Sequence, residues 1–98
     1  MALKNYEIAI LLQMYNEGLI SHNYKALQQV RSKIQWRKIA SKYRVKEPFD
    51  KIARRLVKRR LLSDDGKSMA VLSLGKLGVD FVRAYLKKNP NAMDDLGI

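Results

Sequence analysis

Between Pro48 and Arg60 the chain reads Pro-Phe-Asp-Lys-Ile-Ala-Arg-Arg-Leu-Val-Lys-Arg-Arg, and at helical spacing this stretch has two faces that cannot share one environment. Phe49, Ile52, Ala53 and Leu56 recur at i, i+3, i+4 and i+7, a single apolar stripe that needs a core beneath it. Asp50, Lys51, Arg54, Arg55 and Lys58 share the outer surface. Pro48 suits a first helical position, where its missing N–H would have no intrahelical partner. Any fold of this chain must cover the first face and leave the second open. A charge run alone describes a solvated helix face as well as a ligand-binding one, so the rest of the chain has to decide between them.

The formal net charge of +11 is localised. From Arg31 to Arg60, 13 lysines and arginines stand against Glu47 and Asp50, so this block carries the whole excess and the remaining 68 residues sum to zero. Solubilising lysines would be spread along the chain, whereas clustering within one supersecondary unit points to a face for a polyanion. Basic segments also bind membrane surfaces, but that use needs a free apolar face, and here the apolar face is required by the core.

At 98 residues the chain is long enough for one domain with a small core. It has no cysteine, which removes disulfides and thiolate zinc sites and suits a reducing cytosol. His22 is the only histidine, most simply a surface or helix-start residue. No apolar run reaches the ~20 residues of a membrane span and the first residues lack a signal-peptide layout, so a cytoplasmic location is expected. Asp64-Asp65 and Asp94-Asp95 are adjacent carboxylates whose side chains diverge, with no histidine or third acid nearby in sequence. No glycine-rich phosphate loop is present. The expectation is a non-enzyme without cofactor or metal.

Taken in order, residues 2 to 16 are apolar around more than half of a helical circumference, and Gly18 supplies the stop. Ser21 or Asn23 is expected to cap a second helix through Tyr24, Leu27 and Val30 to about Ser32. A short strand is expected at Ile34, followed from Gln35 by a helix with Ile39, Ala40 and Tyr43 inward and Arg37, Lys38, Lys42 and Arg44 outward. Trp36, at its start, reads as a packing residue. Only Arg44 to Glu47 separates this helix from the two-faced stretch, a helix-turn-helix spacing. Asp64-Asp65-Gly66-Lys67-Ser68 between apolar runs signals a hairpin. Gly75 to Lys88 returns to helical period, Asn89-Pro90 ends it, and residues 91–98 are expected to form a short flexible tail after a domain spanning 1–90.

That order is the order of a winged helix-turn-helix domain, a mainly α (α+β) fold with about five helices and a two-stranded β-hairpin wing. The run Leu72-Ser-Leu-Gly-Lys-Leu-Gly78 resembles the end of the wing in MarR-like and PadR-like DNA-binding proteins, whose pattern there is Leu-Thr-x-x-Gly. Leu74 and Gly78 match it, and Gly75 stands in place of the threonine. Val57-Lys-Arg-Arg-Leu-Leu62 resembles the passage from recognition helix into wing, with Arg60 where glycine is common. The likeness spans roughly residues 34 to 86 and matches small archaeal, plasmid or viral members. It implies that helix 48–60 enters the major groove of double-stranded DNA and that the wing, residues 61–74 with Gly66 and Lys67 at its tip, touches a neighbouring phosphate or minor groove. On this reading Arg37, Lys38, Lys42, Arg44, Lys46, Asp50, Lys51, Arg54, Arg55, Lys58 and Lys67 form the DNA-binding set, with Arg54 and Arg55 the central base readers.

The first and last helices carry apolar surface in apparent excess of one core: Tyr6, Ile10, Leu11, Met14 and Tyr15, then Val79, Val82, Tyr85 and Leu86. In the resembled families these helices pair two subunits, which implies a homodimer and an inverted-repeat operator with half-sites about 34 Å apart. A transcription regulator is the leading expectation. Its rivals are a plasmid partition or chromatin-architecture protein that spreads along DNA, and an RNA-binding or ribosomal winged-helix protein. Stacking aromatics among the basic residues are sparse, with only Trp36 and Tyr43 as candidates, which weighs against RNA.

Overall fold

The computed structural model describes residues 2–66 and 69–96, in the order α1 (Asn5–Asn16), β1 (Lys25–Ala26), α2 (Leu27–Lys33), α3 (Trp36–Lys42), α4 (Phe49–Lys58), β2 (Leu62–Ser63), β3 (Val71–Leu74), α5 (Lys76–Lys88), α6 (Ala92–Asp95). This is an α+β fold with six helices among the described residues and a small antiparallel sheet ordered β1-β3-β2. β3 is central, pairing Lys25 with Leu72 on one edge and Leu62 with Leu74 on the other.

The core forms around α1. Ala9, Ile10, Leu11 and Met14 are completely buried, joined by Leu19, Val30, Ile34, Ile39, Ile52, Leu56, Leu72 and Val82. Trp36 and Phe49 tilt against each other, ring centroids 5.2 Å apart, which ties α3 to α4. The apparent apolar excess of α1 is thus absorbed by helices and sheet of the same chain. That corrects the subunit-pairing expectation for Ile10, Leu11, Met14 and Val82, which have no surface to offer a partner. Tyr6, Tyr15, Val79, Tyr85 and Leu86 are half-buried against the same core.

Three helices end in the same way. After α1, Gly18 lies at φ +72°, its N–H reaching the Tyr15 carbonyl and the Leu19 N–H reaching Met14. After α3, Arg44 takes the left-handed place at φ +54°, bonded to Ser41, with Val45 to Ala40. After α4, Arg60 takes it at φ +61°, bonded to Val57, with Leu61 to Leu56. Each is a Schellman closure with an apolar residue following, so the chain turns sharply and re-enters the core.

Several expectations are corrected. Neither Ser21 nor Asn23 caps α2, whose N-cap is Ala26; Ser21 is left-handed at φ 52°, and the Asn23 side-chain amide donates to the Gly18 carbonyl. The chain then forms β1 rather than a helix, and the Tyr24 hydroxyl shares a 2.8 Å hydrogen bond with Ser63. The strand foreseen at Ile34 lies instead at Lys25–Ala26, while Ile34, fully buried, closes α2 in helical conformation. Pro48 is the N-cap of α4 rather than its first residue. The tail is folded through residue 96: Ala92 and Leu96 are buried, and α6 is held by Lys42. Among the described residues, no helix is long and apolar enough to cross a membrane.

Candidate nucleic-acid interface

On α4 the burial follows the sequence stripe: Phe49, Ile52, Ala53 and Leu56 are covered, and Asp50, Lys51, Arg54 and Lys58 are exposed. Among the described residues none of these four has a salt-bridge partner. Arg44 and Arg60 stand exposed at the turns before and after the helix. Arg37, Lys38 and Lys46 are exposed on α3 and in the turn that follows it, extending the cationic surface. From Gly18 to Lys46 the chain contains no acid at all, so nothing within that segment neutralises it.

Two members of the expected set are turned to other uses. Lys42 donates from Nζ to the carbonyl oxygens of Asp95 and Leu96, 2.8 Å each, and so caps the end of α6. Arg55, expected outward beside Arg54, is only 35% exposed and reaches back to α1 and to the turn between α3 and α4. Its Nη1 donates to Glu47 Oε2 at 2.7 Å, and its Nη2 and Nε donate to Glu7 Oε2 at 3.2 and 3.4 Å. The Tyr6 hydroxyl donates to the other Glu47 oxygen at 3.0 Å and accepts from Arg55 Nη2 at 3.5 Å. The cause is Glu7, whose side chain is 4% exposed and whose buried charge needs a cation. Lys67, the expected wing contact, lies outside the described residues.

These partners favour the charged form of both groups, which lowers the pKa of Glu47 and raises that of Arg55. The Arg55 guanidinium and then the Tyr6 hydroxyl hold the Glu47 carboxyl down, from the ordinary 4.5 to about 2. Glu47, and then Glu7, raise Arg55 further above its already high value. For a carboxyl depressed on folding, the unfolded chain binds the proton first, so the stabilisation is complete above pH 4.5 and is lost as pH falls towards 2. Urea midpoints measured at stepped pH should therefore drop across that window, and less steeply in Glu47→Gln. Identical slopes for the two proteins would remove Glu47 as the group responsible.

Sequence reasoning passed over Glu7 and Glu47 as site residues and gave Tyr6 to a subunit interface instead. Glu47 did carry a signal, as the first acid after Glu17 and one placed just before the basic helix. Glu7 carried none, being 48 positions from the arginine it meets. Comparison of the chain with protein-family models, curated proteins and solved structures gave no match, so the interface is read from its own geometry.

Proposed function

We propose that this chain is a winged helix-turn-helix protein that binds double-stranded DNA, with α4 as the helix entering the major groove and the β2–β3 hairpin as the wing, and that it acts as a transcription regulator. The observation that carries the reading is α4 itself. One side is sealed into the core, and the other presents Lys51, Arg54 and Lys58 without salt-bridge partners among the described residues, bracketed by Arg44 and Arg60. A rigid helix with that division can lay cations along a groove at little further ordering cost. Arg54, midway along the open face, is the residue for a bidentate contact to guanine. Arg37, Lys38 and Lys46 serve phosphates, and Lys67 is assigned the same role from its sequence position. A two-fold pair, as the resemblance implies, would rest on the half-buried Tyr15, Val79, Tyr85 and Leu86 together with Leu77, which is 50% exposed.

The test is selection from a random duplex library, followed by titration of the selected duplex, a scrambled duplex and a folded RNA. Specific duplex binding is expected, with Arg54→Ala losing ~1 to 3 kcal/mol of discrimination. Sedimentation of the same mixtures counts copies per duplex: two on an inverted repeat fits a regulator, and a growing number with duplex length turns the reading to partition or architecture. Preference for RNA, or an Arg54→Ala chain that binds and discriminates as before, would overturn it.

A further inference from the structure

We propose that Arg55 is a positioning residue: anchored to Glu7, Glu47 and Tyr6, it sets the roll of α4 about its own axis and so decides which side chains face the DNA bases. The inference rests on the reading of α4 as the groove-entering helix and adds to it a device at one border of that helix. At 100° per residue, Arg55 and Val57 fall on opposite borders of α4, between the buried and the open faces. Val57 packs against the core on one border. On the other, the Arg55 fork joins α1 and the turn through four hydrogen bonds between 2.7 and 3.5 Å. The helix is thus held at both edges.

The magnitude matters because the outer edge of a helix lies about 5 to 6 Å from its axis, so a roll of 10° moves it by about 1 Å. Hydrogen bonds to base edges weaken over less than that. Phosphate contacts made by long flexible lysines tolerate it. Loss of the anchor should therefore blur sequence choice while leaving general affinity for duplex in place. Lysine cannot replace the arginine here, since a single ammonium does not fork between two carboxylates and a phenol. The groups facing Arg55 are Tyr6 and Glu7 of α1 and Glu47 of the turn, with the Lys4 ammonium over the Tyr6 ring at 5.7 Å, so two carboxylates already balance the two cations and the cluster has no excess positive charge to offer a phosphate.

The experiment uses the full chain with Arg55→Gln, Arg55→Lys, Glu7→Gln and the milder Tyr6→Phe. Each is titrated against the selected and the scrambled duplex over a salt series, with thermal melts to identify variants that no longer fold. Arg55→Gln, Arg55→Lys and Glu7→Gln are each expected to narrow the selected-to-scrambled ratio by roughly tenfold, as loss of one base contact would. Their salt slope on the scrambled duplex should equal that of the unmodified chain. Tyr6→Phe, which removes one hydroxyl and keeps both carboxylates, should narrow the ratio by a smaller factor and serves if the others unfold. A slope reduced by about one in Arg55→Gln would make Arg55 a direct phosphate contact and overturn the proposal. So would an unchanged ratio in folded Glu7→Gln, or in Tyr6→Phe where the others do not fold. If the unmodified chain binds no duplex, the reading of α4 falls first, and this inference with it.

Discussion

Gly78→Ala is expected to destabilise the fold by about 3 kcal/mol, the upper part of the range for overfilling a packed site. A methyl group at Gly78 would fall inside the contact radius of the Leu61 carbonyl oxygen and lie 3.1 Å from the Leu74 side chain. Neither can yield easily. Leu61 is fixed by its N–H to the Leu56 carbonyl, and its own carbonyl accepts from Gly75. Leu74 is 4% exposed and pairs with Leu62. At ~4 to 8 °C per kcal/mol for a domain of this size, Tm should fall by more than ~10 °C. A melt within a few degrees of the unmodified protein would mean that α5 can move away from β2 without cost. The same crowding accounts for Gly75, where an added Cβ would stand 2.8 Å from the Arg60 carbonyl oxygen. A threonine cap, as in the resembled pattern, has no room there.

Arg44→Gly and Arg60→Gly should move stability and binding in opposite directions. A side chain in the left-handed region costs about 1 to 2 kcal/mol, and glycine removes that cost while adding ~0.5 to 1 kcal/mol of backbone entropy in the unfolded chain. Each change should therefore stabilise by roughly 0.5 to 1 kcal/mol. The two sites lie at either end of α4, far enough apart in structure for the gains to add. Binding should weaken by the loss of two cations, with the salt slope falling by about two units in the double variant. A chain that holds arginine where its own first helix uses Gly18 carries strain at the proposed interface, the place where strain is commonly retained for function. Stabilised variants with undiminished affinity would show that these arginines do not touch DNA.

Local pattern made much of this legible. The stripe of Phe49, Ile52, Ala53 and Leu56, the Gly18 stop, the hairpin around Asp64-Asp65-Gly66 and the helix after Gly75 all follow from neighbours within a few residues, and each lies where the spacing puts it. What escaped was non-local. β1 is two residues long and exists because β3 passes beside it, so Tyr24 and Leu27 read as one helix when Tyr24 lies in the loop before β1 and Leu27 opens α2. Arg55 and Arg54 are indistinguishable by composition. Burial of Glu7 separates them, and nothing in the sequence announces that a glutamate in an apolar helix will be covered. Lys42 likewise looked like a free cation until α6 brought its carbonyls alongside.

The Leu19 carbonyl oxygen accepts both the Leu74 N–H, at 2.7 Å, and the Ser73 hydroxyl, at 3.1 Å. This pair of hydrogen bonds between loop and strand has a kinetic consequence. Leu19 and Ser73 are 54 positions apart, so the part of α1 that β3 covers waits on a long-range closure. A helix almost wholly buried on its central turns has little reason to persist before β3 arrives. The domain should fold as one cooperative event, slower than a helical bundle of its size and faster than a sheet protein, as mixed α/β topologies do.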